Sequence, residues 1–292
     1  MATAAAAAHT NGREIAPGVF ARPLAPNIGA EIVGIDLSKE IAPETFKAIE
    51  QAWFDHGVIL FRNQSFTEDE QARFGSLFGP LASTINKHNS AVKHPAMLLI
   101  SNVREDGKLI GALPDGEMLF HSDQCYVEKP CSGAMLYAIE IPSKGGDTIF
   151  ANATKAYETL SPEMKLRLSG LKAVNVYDYD AWLTKSPVSE TAPRYAHPIV
   201  RVHPRTGRKA LFVNRMMSNH IVGMDRAESD ALLGQLFDHI EQPQFLYAHT
   251  WTPGDVLLWD NRCTLHARTD FDAGERRMLR RVTILGEPVR SE

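Results

Sequence analysis

His121 and Asp123, two apart in Phe120-His-Ser-Asp-Gln124, can do together what neither does alone. On an extended strand, side chains at i and i+2 leave the same face, so an imidazole and a carboxylate converge on one point. A second imidazole, His266, ends a distant stretch, Trp251-Thr-Pro-Gly-Asp-Val-Leu-Leu-Trp-Asp-Asn-Arg-Cys-Thr-Leu-His266. Two histidines and a carboxylate that leave other positions open are a ligand set for Fe(II) that must also take a co-substrate and dioxygen. A His-x-Asp tripeptide alone is more often a surface turn. Its weight here comes from what lies downstream.

Arg277 and Arg281 are four apart in Arg276-Arg-Met-Leu-Arg-Arg-Val-Thr-Ile-Leu285, which reads as a strand. On a strand they share a face with Leu279 and Thr283, so two guanidiniums point inward from an apolar wall. Buried cations need anions, and Arg clamps a carboxylate through two parallel hydrogen bonds. The pair therefore predicts one or two carboxylate-bearing ligands near the metal.

The chain resembles the taurine dioxygenase and 2,4-dichlorophenoxyacetate dioxygenase family of Fe(II)- and 2-oxoglutarate-dependent oxygenases. The resemblance runs from about Gly29 to Gly286. It is carried most specifically by His121-Ser-Asp123, Gly145-Gly-Asp-Thr148, Trp259-Asp-Asn-Arg-Cys-Thr-Leu-His266 and the arginine-rich strand. It implies that His121, Asp123 and His266 bind iron, and that Thr148 and Arg277 hold the distal carboxylate of 2-oxoglutarate. No catalytic side chain is implied beyond the metal ligands. It further implies O2 as co-reactant, succinate and CO2 as products, and hydroxylation of an aliphatic C–H, because halogenating relatives lack a carboxylate where Asp123 stands. Arg281 would face the substrate. Where relatives commonly carry Trp before the first iron histidine and Asn four before it, this chain has Phe120 and Glu117. The taurine enzyme's sulfonate-binding histidine falls near Thr84. Phe120, Glu117 and Thr84 are thus expected at the substrate, and a carboxylate, aryloxyalkanoate or sulfonate is expected before taurine itself. Glu117 is the internal alternative as counter-ion of Arg281. The same triad could activate water on zinc in a hydrolase, or hold a metal in a small-ligand sensor, but neither gives a role to two inward arginines with Thr148.

A net charge of -4 and a pI near 6.3 provide no basic footprint for nucleic acid or an anionic membrane, so a small-molecule partner is expected. The expected assembly is a homo-oligomer. Cys125, Cys131 and Cys263 form no closed even set and read as buried free thiols in a reducing, cytoplasmic compartment. Residues 1–14, alanine-rich and without a positive start, are expected to be a disordered tail, and 15–292 one domain.

The elements that must position these residues follow from punctuation and period. Ala30–Leu37, Val58–Phe61, Met97–Ile100, Gly133–Ile141, Thr148–Phe150 and Val174–Tyr177 read as strands, and 199–202 with 210–213 as a hairpin. Helices are expected over Pro43–His56, from the Thr67-Glu-Asp-Glu70 capping box to Gly79 with Phe74, Leu77 and Phe78 buried, from Ser161-Pro162, and over Asp225–Ile240. Two loops, near 82–95 and 103–118, flank the metal strand and suggest a lid. Many short strands with a few helices argue a mainly β core, barrel or sandwich. The resemblance implies the double-stranded β-helix, a jelly-roll, cupin-like barrel.

Overall fold

Strands that are apolar on both faces need cover on both sides, and Val58–Phe61 is buried at every residue. The computed structural model, which describes residues 12–83, 92–112, 116–178, 181, 184 and 186–291, shows what covers them. An eight-stranded sheet runs in the order Arg13–Ala16, Val19–Pro23, Ala30–Val33, Val58–Phe61, Val256–Asp260, Gly133–Glu140, Met278–Ile284, Met97–Ser101. A four-stranded sheet runs Leu246–His249, Thr148–Asn152, Thr264–Arg268, Met118–His121. Alternation along the strands separates three cores. Ile59, Phe61 and Val282 pack against Ile49, Ala52 and Trp53 of helix Pro43–His56. Val58, Leu60, Leu136 and Leu279 turn to the opposite side and meet Phe150 of the smaller sheet. On that sheet's outer side Ala151 and Leu265 pack with Leu232, Leu236 and Ile240 of helix Arg226–Ile240. The layers are therefore helix, sheet, sheet, helix, the expected mainly β jelly roll with flanking helices. The three cysteines are free and buried.

Local signals decide the ends. Gly57 closes the first helix in the left-handed region at φ 71°, which costs glycine little. Thr67 and Glu70 form the reciprocal capping box. That helix stops at Ser76, however, so Leu77 falls outside the periodic face and is 41% exposed instead of buried. Phe78 takes its place against Phe46, Trp53 and Phe74.

Two boundary expectations change. Arg13 and Glu14 are not tail: they pair with Ala21 and Phe20 across a turn at Pro17-Gly18, a hairpin too short to carry a clear alternating pattern. Residues 1–11 lie outside the described residues, as do 84–91 and 113–115 of the two expected lid loops. Part of the second loop is a hairpin of Arg104–Glu105 on Lys108–Leu109, turned by Asp106 and Gly107 at positive φ.

Candidate active site

The metal-ligand candidates meet because of strand register. Thr264–Arg268 pairs antiparallel with Met118–His121, with His266 directly opposite His121, and the two rings lie 4.1 Å apart. Asp123 follows the strand end, where Gln124 turns the chain at φ 56°. Its Oδ2 is 3.8 Å from His266 Nε2, and one ligand atom from each of the three residues lies within 4.8 Å of the others. The His121 Nδ1–H donates to the Leu119 carbonyl at 2.9 Å, which fixes the tautomer and leaves Nε2 a lone pair. Burial pushes both imidazoles toward the neutral, metal-binding form. Burial alone would raise the Asp123 carboxyl, but Arg281, His266 and His121 together hold it at about 2. Two neutral imidazoles and one carboxylate are the donor set that a divalent iron needs.

Asn261 holds this arrangement from behind. Its Oδ1 accepts from the Asp123 amide at 2.9 Å and the Ser122 hydroxyl at 3.1 Å. Its Nδ2 donates to the carbonyls of Asp123 and Cys131 at 2.9 and 3.0 Å. The neighbouring Asp260 is pinned by Arg262 at 2.7 Å and by His203 at 2.9 Å. His203, Asp260 and Cys263 also cluster closely enough for an ion. Yet His203 Nδ1 accepts from two backbone amides while Nε2–H faces Asp260, so the ring keeps no lone pair for a metal. This cluster is scaffold.

Thr148 and Arg277 come from opposite sheets. Arg277 is 2% exposed, and among the described residues its side chain donates only to the Gly146 carbonyl, at 3.2 and 3.3 Å. Gly146 sits at φ 68°, which favours glycine, and a Cβ there would press on the Arg277 side chain at 3.1 Å from Nε. Burial first, then the nearby Arg268, push the Arg277 guanidinium down to about 9, an electrostatic deficit that an anion would correct. The Thr148 hydroxyl accepts from Trp251 Nε1 at 3.0 Å and keeps its own proton to donate.

Arg281 Nη2 donates to Asp123 Oδ2 at 2.7 Å, and its Nε to the Thr283 hydroxyl at 3.2 Å. Its counter-ion in the protein is thus the triad carboxylate, and Glu117 is exposed on the surface. Phe120 packs into the outer core of the smaller sheet, away from Arg281. Thr84 lies outside the described residues. A cavity of about 590 Å³ opens over His121, Asp123 and Arg281. Its other walls are largely apolar: Leu98, Ile100, Met118, Met216, Met217 and the stacked rings of Tyr126 and Tyr177, 4.8 Å apart. Ala82, Ser83, Leu109, Gly111 and Ala112, from the described ends of the two loops, complete the rim. Sequence reasoning passed over Trp251, Tyr126, Tyr177 and the methionine pair. Only Tyr126, three residues after Asp123, carried a positional hint.

The sequence model of the Taurine catabolism dioxygenase TauD, TfdA family matches residues 21–283. The chain is 34% identical over 287 residues to an alpha-ketoglutarate-dependent 2,4-dichlorophenoxyacetate dioxygenase of Cupriavidus pinatubonensis, covering 93% of this chain and 99% of that one. It is 32% identical to an alpha-ketoglutarate-dependent sulfate ester dioxygenase of Pseudomonas putida, over 91% and 89% of the two chains. Among solved structures, a taurine dioxygenase from Burkholderia xenovorans superposes with a TM-score of 0.79 at 32% identity, covering 94% of this chain and 93% of that one. AAD-2 in complex with Mn(II) and N-oxalylglycine superposes at 0.82 and 26% identity, over 93% and 99%.

Proposed function

Because this chain belongs to the TauD, TfdA family, it is an Fe(II)- and alpha-ketoglutarate-dependent dioxygenase of small organic substrates, and we propose that its own substrate is an apolar organic anion held by Arg281. The zinc hydrolase and sensor alternatives fall with that membership. In this reading His121, Asp123 and His266 hold the metal, and Arg277 with the Thr148 hydroxyl takes the distal carboxylate of 2-oxoglutarate. Fe(II), when bound, supplies dioxygen activation coupled to decarboxylation of 2-oxoglutarate to succinate and CO2, with the second oxygen atom entering a substrate C–H bond.

The protein's part is positioning and exclusion of water. Asp123 would offer its carboxylate to the metal while Arg281 holds Oδ2 at 2.7 Å, the oxygen that also lies 3.8 Å from His266 Nε2. Arg281 lines the cavity, and its guanidinium donors not spent on Asp123 and Thr283 can take a carboxylate or sulfate there. The apolar walls and the Tyr126–Tyr177 stack then receive the rest of the molecule and keep the target C–H dry. The observation that carries the reading is that, among the described residues, Arg281 is the one Lys or Arg lining a cavity whose walls beyond the triad are largely apolar. Relatives named for 2,4-dichlorophenoxyacetate, (S)-phenoxypropionate and sulfate esters share that substrate chemistry.

A panel of aryloxyalkanoates, alkyl sulfates and sulfonates, each beside a neutral amide or ester analogue, tests it through substrate-dependent succinate formation. The acids should stimulate turnover and their neutral partners should fall short by about tenfold or more, the cost of a buried charge left unpaired. Neutral analogues that serve as well as the acids would remove the anion from the proposal.

A further inference from the structure

A third guanidinium reaches the proposed co-substrate end. Arg268 stands two residues beyond His266 and directly opposite Thr148 in the strand register, so its side chain leaves the sheet on the face that carries both. It is 7% exposed. Its guanidinium lies 5.7 Å from the Phe271 ring centre, and that of Arg277 lies 6.0 Å from the same ring. The hairpin around Gly145 is zipped to this segment, with the Thr269 amide donating to the Asp147 carbonyl and Gly145 bridging Phe271. Arg268 also donates to the Gly116 carbonyl. Two buried cations near one ring and close enough for Arg268 to depress Arg277, with the Thr148 hydroxyl keeping its proton to donate, would be relieved by an anion.

We propose that Arg268 is a second guanidinium for the distal carboxylate of 2-oxoglutarate, shared with Arg277 and the Thr148 hydroxyl. The inference rests on the assignment of Arg277 and Thr148 to that carboxylate. Arg268 then does two things: it sets the preference for a dicarboxylate over a 2-oxo monoacid, and through Gly116 it ties co-substrate binding to the segment that enters the His121 strand.

The experiment is an anaerobic titration of the Fe(II)-loaded protein, read by visible absorbance, with 2-oxoglutarate and with 2-oxopentanoate. The latter keeps the chelating head and carries a methyl group in place of the distal carboxylate. In Arg268→Gln the dissociation constant for 2-oxoglutarate should rise about tenfold or more, as for loss of a charged hydrogen bond, while that for 2-oxopentanoate stays within about twofold. Arg277→Gln is the control, with the same pattern and a larger change. A purely structural role through Gly116 would weaken both ligands alike, and that result, or no change in either, overturns the proposal. An unchanged 2-oxoglutarate constant in Arg277→Gln overturns the site assignment itself and the proposal with it. Should the Gln variant not fold, Arg268→Lys reads the same preference: a point charge in place of the planar fork lowers it severalfold, and an unaltered preference contradicts the assignment.

Discussion

Asn261 spends both ends of its amide on the backbone that carries Asp123, so the geometry of the triad depends on a side chain that touches no ligand. Replacing it by Asp keeps the size and the acceptor, removes the donor to the Asp123 and Cys131 carbonyls, and adds a negative charge behind the triad. Groups that orient metal ligands are worth roughly 10- to 100-fold in metal affinity. Asn261→Asp should therefore weaken Mn(II) or Fe(II) binding by about that factor. Calorimetric titration reads it, and unchanged affinity would make Asn261 simple packing. At this scale much was legible. His121 and Asp123 were marked by i, i+2 spacing, and Arg277 and Arg281 by sharing one face of a strand. The pairing of Arg281 with Asp123 was not, because it is a contact between residues 158 apart in sequence that depends on how the two sheets face each other. Phe120 was expected at the substrate because it stands where relatives carry Trp before the first iron histidine, but neighbours on a strand point to opposite sides, and it packs outward.

The strands do the positioning, and Gly133–Glu140 is inserted between Val256–Asp260 and Met278–Ile284. A Cβ at Gly133 would meet the Trp53 ring at 2.7 Å and the Trp259 carbonyl at 2.8 Å. Gly133→Ala should therefore cost about 1 to 3 kcal/mol by overpacking. The check is a lower urea midpoint with an unchanged slope, and a midpoint equal to the parent's would contradict the packing argument. Strand Arg194–Pro198 supplies a pH-dependent term. His197 is buried, its Nε2–H donates to the Val127 carbonyl at 2.8 Å, and desolvation pushes its pKa down to about 4. Between the ordinary value near 6.5 and about 4, the unfolded chain binds the proton and the folded chain does not. This contribution to stability is complete above 6.5 and is lost as the pH falls, at up to about 1.4 kcal/mol per pH unit. Urea midpoints of the parent and His197→Gln at pH 7 and pH 5 should diverge less at the lower pH; parallel curves would contradict it. Elements with strong punctuation were legible in the sequence, such as the Thr67 capping box and the Ser161-Pro162 helix start. The hairpin at Arg13–Pro23 and the exact end of the second helix were not, since packing, not local pattern, decides them.

Across the whole molecule, layering explains why a polar site survives between two apolar sheets. The larger sheet is covered by helices outside and by the smaller sheet inside, and the charged groups collect where the two sheets meet at His121, His266, Arg277 and Arg281. A mainly β core could be read from the strand spacing, whereas barrel and sandwich could not be separated until the family resemblance and then the pairing order distinguished them. No helix among the described residues is long and apolar enough to cross a membrane. The proposed function rests on His121, Asp123 and His266 holding Fe(II) with 2-oxoglutarate beside Arg277. Its most direct test is the anaerobic visible spectrum of the Fe(II)-loaded protein on addition of 2-oxoglutarate, in the parent and in His121→Ala, Asp123→Ala and His266→Ala. The parent should develop a weak charge-transfer band that saturates with 2-oxoglutarate, and the three variants, folded by circular dichroism, should not. A parent without the band, or a triad variant that keeps both full iron and the full band, would contradict the claim.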